Sequence, residues 1–135
     1  MRKKTVITAA ALLAVCVLFC VLCRIGAPGN VKSVTVVDTV SGTEKTLTGE
    51  EAGKVVTVVR RAWKLGGSVA ACPASNIQIY FNTKDDGQDG FWVCLSGDSC
   101  ATIYNSTYTS YNISERGCRI LRQIVEDNGF EILPC

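Results

Sequence analysis

Histidine is missing from this sequence, and proline, methionine and charged side chains are scarce. The 135 residues include no histidine, three prolines and one methionine, and 19% of them are charged. Without histidine, the chain has neither the commonest zinc ligand nor the commonest general base. No Ser-x-x-Lys or Gly-x-Ser-x-Gly pattern supplies a nucleophile for hydrolysis. The sequence therefore predicts no catalytic residue, no metal site and no cofactor.

A surplus of positive charge is also lacking in the part of the chain that can build a domain. Four of the fourteen Lys and Arg residues flank a hydrophobic segment near the N-terminus, so ten remain against twelve Asp and Glu from residue 30 onward. Proteins that bind nucleic acids use an excess of cations to neutralise phosphates. We therefore expect no nucleic-acid partner.

The longest hydrophobic run covers residues 6–23 and contains no charged side chain. As a helix it would reach about 27 Å, close to the hydrocarbon thickness of a bilayer. The cations at residues 2–4 favour a cytoplasmic N-terminus. The run predicts a transmembrane helix, and the small residues at 27–29 leave open a signal peptide that is removed. In both cases we expect residues 1–29 to form an anchor or signal segment with a linker, and residues 30–135 to form one domain outside the cytoplasm, either membrane-anchored or secreted.

Hydrophobic alternation and turn residues predict an α+β domain with the order β-α-β-β-β-α. Strands are expected at residues 33–40, 76–82, 91–95 and 100–104, and the last three form an antiparallel meander with turns at 85–90 and 96–98. Helices are expected after the N-caps Thr48 and Asn112, and the second helix is expected to end at Asn128-Gly129. Both helices carry an apolar stripe, so we expect them to pack on one face of the sheet.

The helix start Leu47-Thr48-Gly49-Glu50-Glu51 and the order of elements resemble small membrane-anchored and lipoprotein-like extracytoplasmic domains of Gram-positive bacteria. The resemblance covers residues 31–129 and rests on pattern rather than on a sharp motif. The chain departs from the lipoprotein members because no cysteine of the hydrophobic run follows the small residue that a lipobox requires. Those domains have no established activity, so the resemblance implies a fold and a location but no function.

Eight cysteines fit an oxidising location outside the cytoplasm. Three of them lie in the hydrophobic run. The turn predicted at residues 96–98 sets Cys94 directly opposite Cys100, which predicts a disulfide between them. A second disulfide is predicted between Cys118 and Cys135. Cys72 is then the odd thiol, although Cys72–Cys118 and Cys72–Cys135 are alternative pairings.

Alternation also assigns the strand residues to two faces of the sheet. The inner set, expected beneath the helices, is Ile77, Ile79, Phe81, Phe91, Val93, Leu95, Ala101 and Ile103. The opposite set contains Gln78, Tyr80, Asn82, Trp92, Cys94, Cys100, Thr102 and Tyr104. Tyrosine and tryptophan supply rigid, amphipathic contact area. We therefore predict a binding surface formed by Tyr80, Trp92, Thr102 and Tyr104.

Together these features predict a membrane-tethered, extracytoplasmic, non-catalytic module that binds a protein or a cell-envelope polymer. Residues 6–23 would hold it at the membrane. The alternative is a small secreted enzyme or enzyme inhibitor that uses the tyrosine-rich loop at residues 105–111. A deep pocket of converging polar groups would favour the alternative, whereas a flat aromatic surface would favour binding.

Overall fold

The computed structural model describes residues 2–23, 30–62, 75–84, 88–96, 100–104 and 110–134. Within these ranges the α-helices are α1 (Arg2–Cys23), α2 (Gly49–Arg60) and α3 (Glu115–Asp127). The β-strands are β1 (Val31–Asp38), β2 (Glu44–Leu47), β3 (Ile77–Thr83), β4 (Gln88–Ser96), β5 (Cys100–Tyr104) and β6 (Ser110–Asn112). The fold class is therefore α+β, as the sequence predicts.

Helix α1 exposes its apolar side chains. Val6, Leu13 and Phe19 have exposed fractions of 66%, 68% and 59%. Among residues 6–21, whose side chains the structure describes, none belongs to the hydrophobic core of the domain. Among the residues that the structure describes, no helix combines the length and the apolar content that crossing a membrane requires.

The described strands form one antiparallel sheet in the order β2-β1-β3-β4-β5-β6. The predicted β3-β4-β5 meander is confirmed, and β1 pairs with β3. The order predicted from the sequence is wrong in omitting β2 and β6, which form the two edges of the sheet. These strands have four and three residues, so they are too short to display an alternation of their own. In addition, β4 begins at Gln88, inside the turn predicted at residues 85–90.

A tight turn after β1 explains why β2 forms. One oxygen of the Asp38 carboxylate accepts a hydrogen bond from the Val40 backbone N–H at 2.9 Å, and the other accepts from the Ser41 hydroxyl at 2.8 Å. These bonds, led by that from Ser41, hold the pKa of Asp38 below its ordinary value. Gly42 has a φ of 71°, which glycine adopts without a steric penalty. The chain therefore reverses after Asp38, two residues earlier than predicted, and returns as β2.

The N-terminus of α2 is where the sequence predicts it, whereas that of α3 is two residues later. Thr48 is the N-cap of α2, although its side chain makes no capping hydrogen bond. Ser114 is the N-cap of α3, and its hydroxyl accepts a hydrogen bond from the Gly117 N–H at 3.1 Å. Asn112, the predicted N-cap, is instead the last residue of β6. The predicted end of α3 is confirmed by the left-handed Gly129, with a φ of 86°.

One hydrophobic core lies between the inner face of the sheet and helices α2 and α3. Its most completely buried members are Val34, Val36, Leu47, Val55, Val59, Ala62, Ile77, Ile79, Phe81, Val93, Leu95, Leu121 and Val125, each at most 2% exposed. Five of the eight residues predicted to face inward belong to this set, and their placement is confirmed. The side chains of Phe91, Ala101 and Ile103 lie outside the described part of the chain.

The buried side chain of Asn76 fixes the C-terminal tail to the start of β3. Asn76 is 4% exposed. Its Nδ2 donates a hydrogen bond to the Glu131 carbonyl at 2.8 Å, and its Oδ1 accepts one from the Leu133 N–H at 3.1 Å. The Asn76 carbonyl also accepts a hydrogen bond from the Thr39 N–H at 2.8 Å. The side-chain amide of Asn76 therefore provides hydrogen-bond partners for two backbone groups of the C-terminal tail, where the tail packs against one end of the core.

Candidate functional site

The predicted binding residues belong to the face of the sheet that α2 and α3 leave uncovered. Ile79 and Val93 on the helix side are fully buried. Because successive strand residues point to opposite faces, Tyr80 and Trp92 belong to the other face. The pairing of β4 with β5 adds Thr102 and Tyr104 to the same face. Of these four residues, the structure describes the side chain of Tyr80, and strand register positions the other three.

Six residues form one row across the entire sheet. In strand order they are Thr46, Thr35, Tyr80, Trp92, Tyr104 and Ser110. We call this set the aromatic row. Neighbouring strands lie about 4.8 Å apart, so its three central aromatic positions span about 10 Å. The sequence predicted that these three residues share a face, and the register makes them direct neighbours with hydroxyl residues on both sides.

A second row lies beside the aromatic row and contains the fourth predicted binding residue, Thr102. Its members are Glu44, Val37, Gln78, Cys94, Thr102 and Asn112. Glu44 is the only charged residue in the two rows, and it lies on the edge strand β2. The face opposite α2 and α3, which we call the uncovered face, is therefore composed mainly of hydroxyl, amide and aromatic residues, and Cys94 is buried among them.

Hydrogen bonds between side chains connect β2, β1 and β3 at one side of this face. Nδ2 of Asn82 donates to Oγ1 of Thr35 at 2.8 Å and to Oγ of Ser33 at 3.1 Å. The hydroxyl oxygens of Thr35 and Thr46 are 3.5 Å apart. Sequence reasoning did not identify Ser33, Thr35 and Thr46 as part of the surface. The alternation of hydroxyl and aliphatic residues along β1 carried a signal for the first two, whereas the position of Thr46 depends on β2.

Tyr80 lies at the centre of this surface and is half-buried. Its phenol donates a hydrogen bond to the Oε1 atom of Gln78, two residues away on the same strand. Burial raises the pKa of the Tyr80 phenol above its ordinary value, and the negative charges that Cys94 and Glu44 can carry raise it further. The phenol is therefore neutral at physiological pH and acts as a hydrogen-bond donor.

The register between β4 and β5 differs from the one predicted for the cysteines. Cys94 is opposite Thr102, and Cys100 is opposite Ser96, so the predicted direct opposition of Cys94 and Cys100 is wrong. β4 continues through Ser96, which moves the loop one residue along the chain and each pairing by two. Diagonal neighbours in a sheet lie about 7–8 Å apart, whereas the Cβ atoms of a disulfide lie about 3.5–4.5 Å apart. The Cys94–Cys100 disulfide stays a prediction, and it requires the strands to shift from this register.

The other predicted site residues fall partly outside the described ranges. Cys118 is buried, and its Sγ lies 3.9 Å from the Ile113 carbonyl oxygen. Cys135 lies outside the described residues, so the Cys118–Cys135 pairing stays a prediction. Residues 105–109 of the tyrosine-rich loop also lie outside them. Tyr111 at the end of that loop is in β6 and packs against the hydrophobic core, so it belongs to the helix side of the sheet.

Comparisons with known proteins do not place this chain in a family. No family model, curated protein or solved structure matches it.

Proposed function

We propose that this protein is a membrane-tethered, extracytoplasmic, non-catalytic module that binds an uncharged cell-envelope polymer on the uncovered face of its sheet. The aromatic row is the observation that carries the proposal. Its three aromatic positions are adjacent on β3, β4 and β5. Aromatic rings offer apolar faces on which the C–H faces of sugar rings stack, and the neighbouring hydroxyl and amide groups offer hydrogen bonds to sugar hydroxyls.

The charge of the surface favours a neutral glycan over an anionic polymer. A polyanion is bound by Lys and Arg side chains, and neither residue type occurs in the two rows that cross the sheet. Glu44, the single charged residue of these rows, would repel a polyanion. An uncharged polysaccharide needs only stacking surfaces and hydrogen-bonding groups, and the two rows are rich in both.

The hydrogen bonds within the surface favour binding because they restrain side chains before a ligand arrives. Asn82 is bonded to both Thr35 and Ser33 on the neighbouring strand, and the Tyr80 phenol is bonded to Gln78. Ordering a flexible side chain at an interface costs roughly 0.5–1.5 kcal/mol. Side chains that are already held by neighbours lose less conformational freedom when a polymer binds.

Attachment to a membrane is proposed for residues 6–23. The support is the apolar surface of α1, where the large hydrophobic residues from Val6 to Val21 are each at least 56% exposed. Such a surface is unfavourable in water. The full chain should therefore remain with membranes through a carbonate wash. Recovery of a soluble product that begins near residue 30 would instead identify the segment as a cleaved signal peptide.

The binding experiment uses the full chain in an uncharged detergent that contains no sugar. Uncharged β-linked N-acetylhexosamine oligosaccharides serve as the probe, with calorimetry as the measurement, and polyglutamate serves as the anionic comparison. Trp92→Ala and Tyr80→Ala should each weaken oligosaccharide binding by about tenfold, the equivalent of one lost stacking contact. Lys45→Ala is the matched control, because Lys45 is exposed on the same sheet and its register partner Val36 belongs to the helix side.

Two results would overturn the proposal. Equal oligosaccharide affinity of the wild type and Trp92→Ala would remove the aromatic row as the site. The second result is that the oligosaccharides do not bind and that a photoreactive group at position 92 crosslinks to a membrane protein. This result would show that the partner is a protein rather than a polymer.

A further inference from the structure

The opposite side of the domain contains a groove that is independent of the uncovered sheet face. It lies between α2 and α3 and has a volume of about 750 Å³. Val58, Ile120 and Ile124 contribute apolar surface to it, and charged residues occupy both of its ends. The two helices run antiparallel along the groove, because Asn128 after α3 contacts Glu51 at the start of α2 at 3.2 Å. At the other end, Gly117 near the start of α3 lies against Val58 of α2.

This antiparallel arrangement separates the charges along the groove. Glu50 and Glu51 at the start of α2 and Asp127 at the end of α3 form its acidic end. Arg61 and Arg116 form its basic end. The distance from residue 50 to residue 61 corresponds to roughly 16 Å of helix.

The two ends differ in how far their charges are already compensated. Lys54 Nζ is 2.8 Å from a carboxylate oxygen of Glu50. The Nε2 atom of Gln123 donates a hydrogen bond to Asp127 at 2.8 Å. Among the described residues, no carboxylate lies within ion-pair distance of Arg61 or Arg116. The basic end therefore has the greater capacity to attract an oppositely charged group.

We propose that the α2–α3 groove binds an amphipathic helical segment of a partner protein, with acidic residues at its N-terminus and basic residues at its C-terminus. A groove between two antiparallel helices is the surface against which a third helix packs in a bundle. The acidic N-terminus of the segment lies between Arg61 and Arg116, and its basic C-terminus lies at Glu50, Glu51 and Asp127. This distribution of charge also stabilises the segment itself, because it opposes the helix macrodipole. A lipid surface or a polyanion complements only one of the two ends.

Gly53 provides a direct test, because it lines the groove and a side chain added there would project into the groove rather than into the core. A Cβ atom added at Gly53 meets no other heavy atom within 4 Å. Gly53→Gln therefore fills the groove with a side chain without disturbing the packing of α2 against the core. Gly53→Ala is the matched control. It removes the same conformational freedom of glycine from the backbone, but its small side chain leaves most of the groove open.

The probe is a designed peptide of about twelve residues, enough for a helix of about 18 Å. It has capped termini, Asp-Glu at its start, an alanine- and leucine-rich centre and Lys-Arg at its end. Of the two comparison peptides, one carries acidic residues at both ends and the other carries basic residues at both ends. Binding to the full chain in uncharged detergent is measured by fluorescence anisotropy, with empty micelles as the background.

The peptide with opposite charges at its ends should bind more tightly than both comparison peptides. Gly53→Gln should weaken its binding by at least about tenfold, and Gly53→Ala should retain the wild-type affinity. The double variant Arg61→Glu/Arg116→Glu, in which both changed residues are exposed, should lose the preference for an acidic N-terminus. Equal affinity for all three peptides, absence of binding, or binding that Gly53→Gln leaves unchanged would each overturn the proposal.

Discussion

Gly117 lies where the first turn of α3 contacts α2, and a larger residue at this position would clash with its neighbours. A Cβ atom built on Gly117 would lie 2.6 Å from Cγ2 of Ile113 and 2.9 Å from Cγ1 of Val58. It would also lie 3.3 Å from Oγ of Ser114, the N-cap of α3. The first two distances are well inside carbon–carbon contact. Both of these neighbours are β-branched side chains with few alternative rotamers. Gly117→Ala should therefore force the two helices apart.

The expected effect is the balance of overpacking and helix propensity. Adding a methyl group to a closely packed contact costs about 1–3 kcal/mol of the free energy of unfolding. Replacing glycine by alanine inside a helix recovers up to about 1 kcal/mol. The net expectation for Gly117→Ala is a loss of about 1–2 kcal/mol. For Gly53→Ala the packing penalty is absent, because nothing lies within 4 Å of the new Cβ, so we expect a gain of up to about 1 kcal/mol.

Urea unfolding of the full chain, followed by tryptophan fluorescence, measures both effects. The midpoint for Gly117→Ala should fall and that for Gly53→Ala should rise relative to the wild type, with unchanged slopes. In thermal unfolding, a difference of 1 kcal/mol corresponds to roughly 4–8 °C for a domain of this size. If the midpoint for Gly117→Ala rises together with that for Gly53→Ala, helix propensity rather than the α2–α3 contact governs position 117, and the reasoning is refuted.

Three further predictions concern buried or capping groups. Asn76→Ala leaves the Glu131 carbonyl and the Leu133 N–H without their partners, so it should cost about 2–4 kcal/mol in urea unfolding and speed carboxypeptidase trimming of the tail; a wild-type midpoint would contradict this. Ser114→Ala removes a capping bond and should cost about 1 kcal/mol, whereas Thr48→Ala, which removes none, should stay within about 0.5 kcal/mol; equal losses would contradict the cap assignment. The Tyr80 phenol should titrate above the ordinary value of 10.0 in ultraviolet difference spectra of the wild type against Tyr80→Phe. Because its pKa is raised on folding, its contribution to stability is intact below the unfolded value and is lost as the pH rises through the folded value; titration at or below the ordinary value would contradict the burial of the phenol.

Local patterns in the sequence determine most of the core and the class of the fold. The alternation of Ile77, Ile79 and Phe81 along β3 assigns them to one face, and all three are fully buried. The apolar stripes predict α2 and α3, because a helix repeats every 3.6 residues and each stripe needs an apolar surface to cover it. The capping pattern also locates the start of α2 at Thr48. The scarcity of charge on the predicted outer face is likewise a property of the sequence alone.

Tertiary structure decides how strands align, and this alignment creates the candidate site. The period of a strand is two residues, so shifting a pairing by two leaves every side chain on its original face. Alternation therefore cannot distinguish the predicted opposition of Cys94 and Cys100 from the observed pairing of Cys94 with Thr102. The same shift brings Tyr104 opposite Trp92 and completes the aromatic row.

The edges of the sheet and the groove between the helices also depend on contacts distant in sequence. β2 and β6 are strands because the neighbouring strands β1 and β5 supply their hydrogen-bond partners; neither is long enough to show its own periodicity. The groove is lined by residues of both α2 and α3, which are far apart along the chain and meet only when the two helices pack side by side. The sequence determines which faces are apolar, since that depends on neighbouring residues. The three-dimensional fold determines which residues become neighbours across strands and helices, since this requires the packing of the entire domain.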